Sequence, residues 1–135
     1  MAIGTLGWLN INWHTALIMA PFGASCVLLF SLPASPLARP KNVIGGHLLA
    51  AGVGLLVQLL PLPLEWQLAV GVGLAIAVMQ RLDLIHPPAG ANPLLVLMAG
   101  QEWSFLWHTV LPGTLLLVIL SQGYQWLKRW PLRAA

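Results

Sequence analysis

Three short stretches of the chain carry groups that could do chemistry: PFGAS at 21–25, the histidine of VIGGHLL at 43–49, and HPPAGAN at 86–92. In the first and third, prolines interrupt an apolar run, which then restarts on small residues. A restarted helix presents unpaired N–H groups and the positive end of its dipole, so a small anion can be held there without burying a full charge. Pro21, Pro87 and Pro88 make the breaks, and Gly23, Ala24, Gly90 and Ala91 leave the backbone uncovered. Ser25 and Asn92 are expected to cap the restarted helices, and either can instead donate to a ligand.

Histidines are the other candidates. His86 stands immediately before the second break. It is either a proton-linked or anion-attracting group at the inner end of a pathway, or a neutral imidazole bonded to a carbonyl that Pro87 and Pro88 set free. His47 follows Gly45 and Gly46 in an apolar run, where an ionisable side chain is a functional candidate by default, with buried packing as the alternative. His14 and His108 lie close to tryptophans and suit a membrane boundary. The four histidines lack the spacing of a metal site, and no nucleotide-binding or hydrolase motif is present. The three acidic residues fall near the ends of apolar segments, so neither catalysis nor a cofactor is expected.

The elements that must position these residues are membrane helices. Of 135 residues, 59% are hydrophobic and 7% charged, against about 25% charged in soluble domains, and the mean hydropathy is +0.84. At roughly 20 residues per crossing the chain can span a bilayer four or five times, as one transmembrane domain over 1–135 with no separate soluble part. Apolar runs fall at 13–32, broken by Pro21 and Gly23, and at 43–60, 66–80 and 105–127; the run at 86–100 is too short for an ordinary span. Six Lys and Arg are too few for a nucleic-acid surface, and Cys26 alone forms no internal disulfide. No signal peptide is recognisable.

Charge separates four crossings from five. If residues 86–100 carry the chain across, all six cationic residues share one side and Glu65 and Glu102 the other, as the positive-inside rule favours. The N-terminus is then outside and the C-terminus cytoplasmic. Trp8, Trp13, Trp66, Trp103 and Trp107 form an outer aromatic belt, with Tyr124, Trp126 and Trp130 as the inner one. An offset of 67 residues aligns PFGASCVLLF with PAGANPLLVL and VIGGHLL with VLPGTLL. With five crossings these copies run in opposite directions, giving an inverted repeat of halves 13–60 and 66–127 whose breaks meet near the midplane. Two small-residue stripes, Gly46, Ala50 and Gly54 on one helix and Ala69, Gly73 and Ala77 on the next, are read as helix contacts.

In PFGAS, SPLARPKNVIGGHLL and above all HPPAGA, the chain resembles the HPP family of integral membrane proteins, named for the motif that here is His86, Pro87 and Pro88. The resemblance runs from about Met19 to Tyr124. It implies a bundle usually described with four transmembrane helices, and members from cyanobacteria and chloroplast envelopes are associated with nitrite transport. Asn92 and Pro93, where many members have Thr and Ala, resemble the photosynthetic branch; Cys26 departs from the Ala common there. The expectation is therefore an all-α multi-pass protein of a bacterial, cyanobacterial-type plasma membrane. It transports or conducts nitrite or a similar small anion at Pro21, Gly23, Ala24, Ser25, His47, His86, Pro87, Pro88, Gly90, Ala91 and Asn92. A membrane sensor or scaffold is the alternative. The small chain is expected to form a homo-oligomer.

Overall fold

The computed structural model describes residues 2–13 and 18–129. His14, Trp130, Arg133 and the side chain of Trp13 lie outside what is described, and with them the roles expected of those residues. The described chain is helical: α1 (Ala2–Trp13), α2 (Ala20–Ser31), α3 (Pro40–Val57), α4 (Leu64–Arg81), α5 (Asn92–Ala99) and α6 (Leu111–Arg129), with 3-10 turns at Pro36–Ala38 and Pro87–Ala91. Two stretches are long and apolar enough to cross a membrane by length and composition, Pro40–Val57 and Leu106–Arg129.

Proline sets most of the boundaries. Pro21, Pro40 and Pro93 occupy the first turns of α2, α3 and α5, where a missing N–H costs nothing. Arg39 and His86, each followed by proline, are driven to extended backbone. Gly100, at φ +59 and ψ 46, closes α5 in the left-handed conformation that glycine adopts without strain. Pro112 cannot donate into the turn before it, and that turn, Leu106–Val110, widens into a π-helix running directly into α6.

The first break differs from the expectation. Instead of one span interrupted at Pro21 and Gly23, two short helices flank an extended Met19. Proline fits the first turn of a helix, so Pro21 and Gly23 lie inside α2, and α1 is a helix that a span starting at residue 13 did not include. Ile18 reaches to 3.4 Å from the position a Cβ on Gly7 would take, so it lies against α1.

α3 lies at the centre, packed on α4, α5 and α6. Its stripe behaves as expected: Gly46, Ala50 and Gly54 are buried. A Cβ on Gly46 would lie 2.9 Å from the Leu84 carbonyl and 3.0 Å from His86 Cβ, and one on Gly54 2.9 Å from Pro93 Cα. These glycines let the segment ahead of α5, and α5 itself, lie against the α3 backbone. The stripe on α4 is corrected. Ala69, Gly73 and Ala77 are exposed, and α4 buries Gly71, Ala75 and Met79 instead. Small residues occupy both faces of α4, and only the docking of Pro93 and Leu97 beside Gly71 selects one.

Charges separate by end. Lys41 at the start of α3 pairs with Asp83 after α4 at 2.6 Å, holding that carboxyl below the usual carboxylate range. Arg39 and Arg129 line one cleft. The C-terminal ends of α2, α4 and α6 therefore share an end of the bundle with the start of α3. At the opposite end Gln58 donates to the Gln101 carbonyl at 3.2 Å, beside Glu102, and Glu65 lies in the first turn of α4. Residues 84–101 thus carry the chain from the cationic end to the other. α2 runs toward the cationic end and α5 away from it.

Candidate functional site

Where α2, α3 and the Pro87–Ala91 turn meet, four polar side chains are completely buried: Ser25, His47, His86 and Asn92. The extended backbone at His86 and the close approach at Gly46 bring the His86 ring inward, and the Asn42 amide donates to the Ile85 carbonyl at 2.9 Å, fixing the residue before it. Ser25 Oγ lies 2.8 Å from Nε2 of His47 and 2.8 Å from Nε2 of His86. The hydroxyl is also placed to donate to the Pro21 carbonyl one turn earlier, 3.0 Å away, an acceptor that competes with His86 Nε2 for its one proton. The two imidazoles stand 5.1 Å apart at 60°, and the edge of Phe22 closes the far side of His47 at 5.3 Å. Beyond His47, the Asn92 amide donates to His47 Nδ1 at 3.0 Å and to the His47 carbonyl at 2.9 Å.

The ends of this chain fix its protons. The Leu37 carbonyl can only accept, so His86 Nδ1, 2.8 Å away, carries a proton and donates to it. With His86 neutral, its Nε2 accepts from the Ser25 hydroxyl. That hydroxyl has a single proton, so it must accept from His47 Nε2–H. His47 Nδ1 is then free to accept from the Asn92 amide. One direction of donation, from Asn92 through His47, Ser25 and His86 to Leu37, satisfies every member.

The expected capping roles of Ser25 and Asn92 are overturned. No side chain caps α2 or α5, whose N-caps are Met19 and Ala91. Ser25 is more than a turn inside α2, and Asn92 is drawn to α3 because two acceptors of His47 face it. Pro21 and Pro88 are buried at the site, Gly90 and Ala91 half-buried, and Gly23, Ala24 and Pro87 exposed. His86 does bond a carbonyl, but that of Leu37 in the preceding turn. His108 lies apart, exposed on the π-turn and bonded to the Ser104 carbonyl. Phe22, Asn42 and Leu37 were not anticipated. Asn42 shares the face of Gly46, Ala50 and Gly54 at four-residue spacing, which could have marked it. Leu37 contributes only backbone, which no residue type reveals.

An open cleft of about 800 Å³ lies at the cationic end. Arg39, Arg129, Gln122 and Gln125 supply its polar wall, and Leu29, Val118 and Trp126 much of the apolar one. Ala38 also lines it, one residue from the Leu37 carbonyl that receives the His86 proton. The cleft and the buried cluster are therefore separated by a single turn of chain.

The family model of the HPP transmembrane region matches residues 1–131. The chain belongs to the HPP transmembrane family. Two transmembrane proteins of Dictyostelium discoideum are similar to it. One is 35% identical over 112 residues, covering 77% of this chain and 39% of the relative. The other is 35% identical over 108 residues, covering 76% and 35%. This HPP chain thus spans under two-fifths of the length of these curated relatives, and no solved structure matches it. In this HPP protein the tripeptide His86, Pro87, Pro88 has divided duties: His86 enters the buried cluster, Pro88 is buried and Pro87 exposed.

Proposed function

We propose that this HPP protein is a transporter or channel for nitrite or a similar small monovalent anion, and not an enzyme. The observation that carries the reading is that Ser25 and Asn92 hydrogen-bond to the two nitrogens of one residue, His47. At the 67-residue offset these two residues are equivalent. The same offset relates α1, α2 and α3 to α4, α5 and α6. α5 and α4 pack on α3 as α2 and α1 pack on α6, and Gly46 and Gly113, also 67 positions apart, each approach the other half closely, at His86 and at Phe22. These relations favour an inverted repeat of three helices each, its broken helices meeting at the substrate site.

In this reading the anion gathers at the Arg39 and Arg129 cleft, passes the turn at Leu37, and exchanges bonds with the Ser25, His86 and Asn92 donors in the apolar bundle. The cationic end with the C-terminus faces the cytoplasm of a bacterial plasma membrane. Under the repeat, α1 mirrors α4 and places its start at that same end, where the charge pattern alone suggested the outside. A bundle this small acts as a homo-oligomer.

Purified protein in liposomes containing a nitrite-sensitive probe tests the proposal. Uptake faster than in empty liposomes is the expected result. Uptake equal to that of empty liposomes overturns it and leaves a membrane sensor or scaffold.

A further inference from the structure

The links from Asn92 to His86 have a second property that anion binding does not require: their direction of donation can be reversed with only a small turn of the Asn92 amide. We propose that His47, Ser25 and His86 form a proton relay through the bundle, and that one proton accompanies each anion. This rests on the anion reading and names the second species that the same site handles.

The geometry supplies each step. A proton arriving at His47 Nδ1 is balanced by release of the Nε2 proton of the same ring to Ser25 Oγ, 2.8 Å away. Ser25 passes its own hydroxyl proton to His86 Nε2, also 2.8 Å away. The net change is one proton bound, with the positive charge on His86. Both His86 nitrogens then donate, to Leu37 and to Ser25. The Ser25 hydroxyl now points to His47 Nε2, and His47 Nδ1–H needs an acceptor. Asn92 provides it, because its Oδ1 lies 3.3 Å from Nδ1 while its Nδ2 lies at 3.0 Å. A small rotation of one amide serves both states. Release of the Nδ1 proton of His86 past the Leu37 carbonyl delivers it toward the cationic cleft, leaving one proton on each ring, at His86 Nε2 and His47 Nδ1; each imidazole returns to its first tautomer by gaining a proton on the bare nitrogen and losing the other.

The surroundings suit this use. No described carboxylate hydrogen-bonds to either imidazole. Lys41 and Asp83 pair with each other at the end of the bundle. Arg39 lines the cleft, Arg81 is exposed at the end of α4, and Cys26 on α2 is the neighbouring titratable group, half-buried. α5 carries no titratable side chain, and Tyr124, Lys128 and Arg129 of α6 are exposed toward the cationic end. A proton entering the cluster therefore has its positive charge offset by an anion and not by a fixed carboxylate, which ties the two together.

Two measurements on the intact protein test the relay. In liposomes carrying both a nitrite probe and a pH dye, an inward nitrite gradient is expected to produce uptake with matching lumenal acidification. Nitrite uptake with no pH change overturns the relay and leaves the anion reading standing. If nitrite does not enter, the anion reading falls, and the second measurement decides the relay alone. Histidine ¹⁵N spectra recorded as the pH is lowered are expected to show His47 exchanging Nε2–H for Nδ1–H in step with formation of the His86 imidazolium. His47 keeping its tautomer while His86 charges overturns the relay.

Discussion

Ser25 on α2 and Asn92 at the start of α5 are 67 positions apart, and each bonds to a different nitrogen of His47. Their energies are coupled through that ring. Asn92→Ala leaves His47 Nδ1 unpartnered and Ser25→Ala leaves the Nε2 of both His47 and His86 unpartnered, at a cost of about 1–3 kcal/mol for each buried nitrogen. Because both act on His47, the double variant is expected to depart from additivity by about 0.5–3 kcal/mol. Denaturant unfolding in micelles, followed by tryptophan fluorescence, gives the four stabilities. Strict additivity would show that the two bonds are independent.

The cleft arginines concern capture of the anion and not its passage. Arg39→Gln and Arg129→Gln are expected to lower nitrite uptake mainly at low nitrite concentration. Added salt should reduce the wild-type rate toward theirs, since exposed guanidinium groups act through a field that salt screens over about 10 Å at 0.1 M. Uptake curves at two ionic strengths check this. A loss unaffected by concentration or salt contradicts it.

Glycines of the same composition should respond oppositely by location. A Cβ on Gly113 would overlap the Phe22 ring, and Phe22 is fully buried against His47. Gly113→Ala is therefore expected to destabilise by about 1–3 kcal/mol through overpacking. Nothing lies within 4 Å of the corresponding position on Gly73. Gly73→Ala should be neutral, or stabilising by up to about 1 kcal/mol from helix propensity. Equal effects in unfolding measurements would place the α4 contact on the wrong face.

Topology is testable by labelling. In a Cys26→Ala background, single cysteines at Ile3 and Lys128 should react with a membrane-impermeant maleimide from the same side, and one at Glu102 from the opposite side. Ile3 reacting together with Glu102 would break the pairing of α1 with α4.

The sequence by itself determined the membrane class, because so apolar and uncharged a chain has no other favourable solvent, and proline placed most of the helix starts because its ring fixes the backbone locally. It also exposed the break at Pro87 and Pro88, the 67-residue offset and the two histidines that are buried, whereas Pro21 and Gly23 lie inside α2 and mark no break. What it left open was which atoms meet. Residue type favours caps for Ser25 and Asn92, but a preference of about 1 kcal/mol yields to the need to satisfy two imidazoles without water. The α4 stripe was chosen on the wrong face because small residues line both, and only α5 decides. The link from His86 to the Leu37 carbonyl, on which the direction of every proton in the cluster depends, is made by backbone from a distant turn. Tertiary structure alone could set it, since each buried donor must find an acceptor wherever the folded chain supplies one.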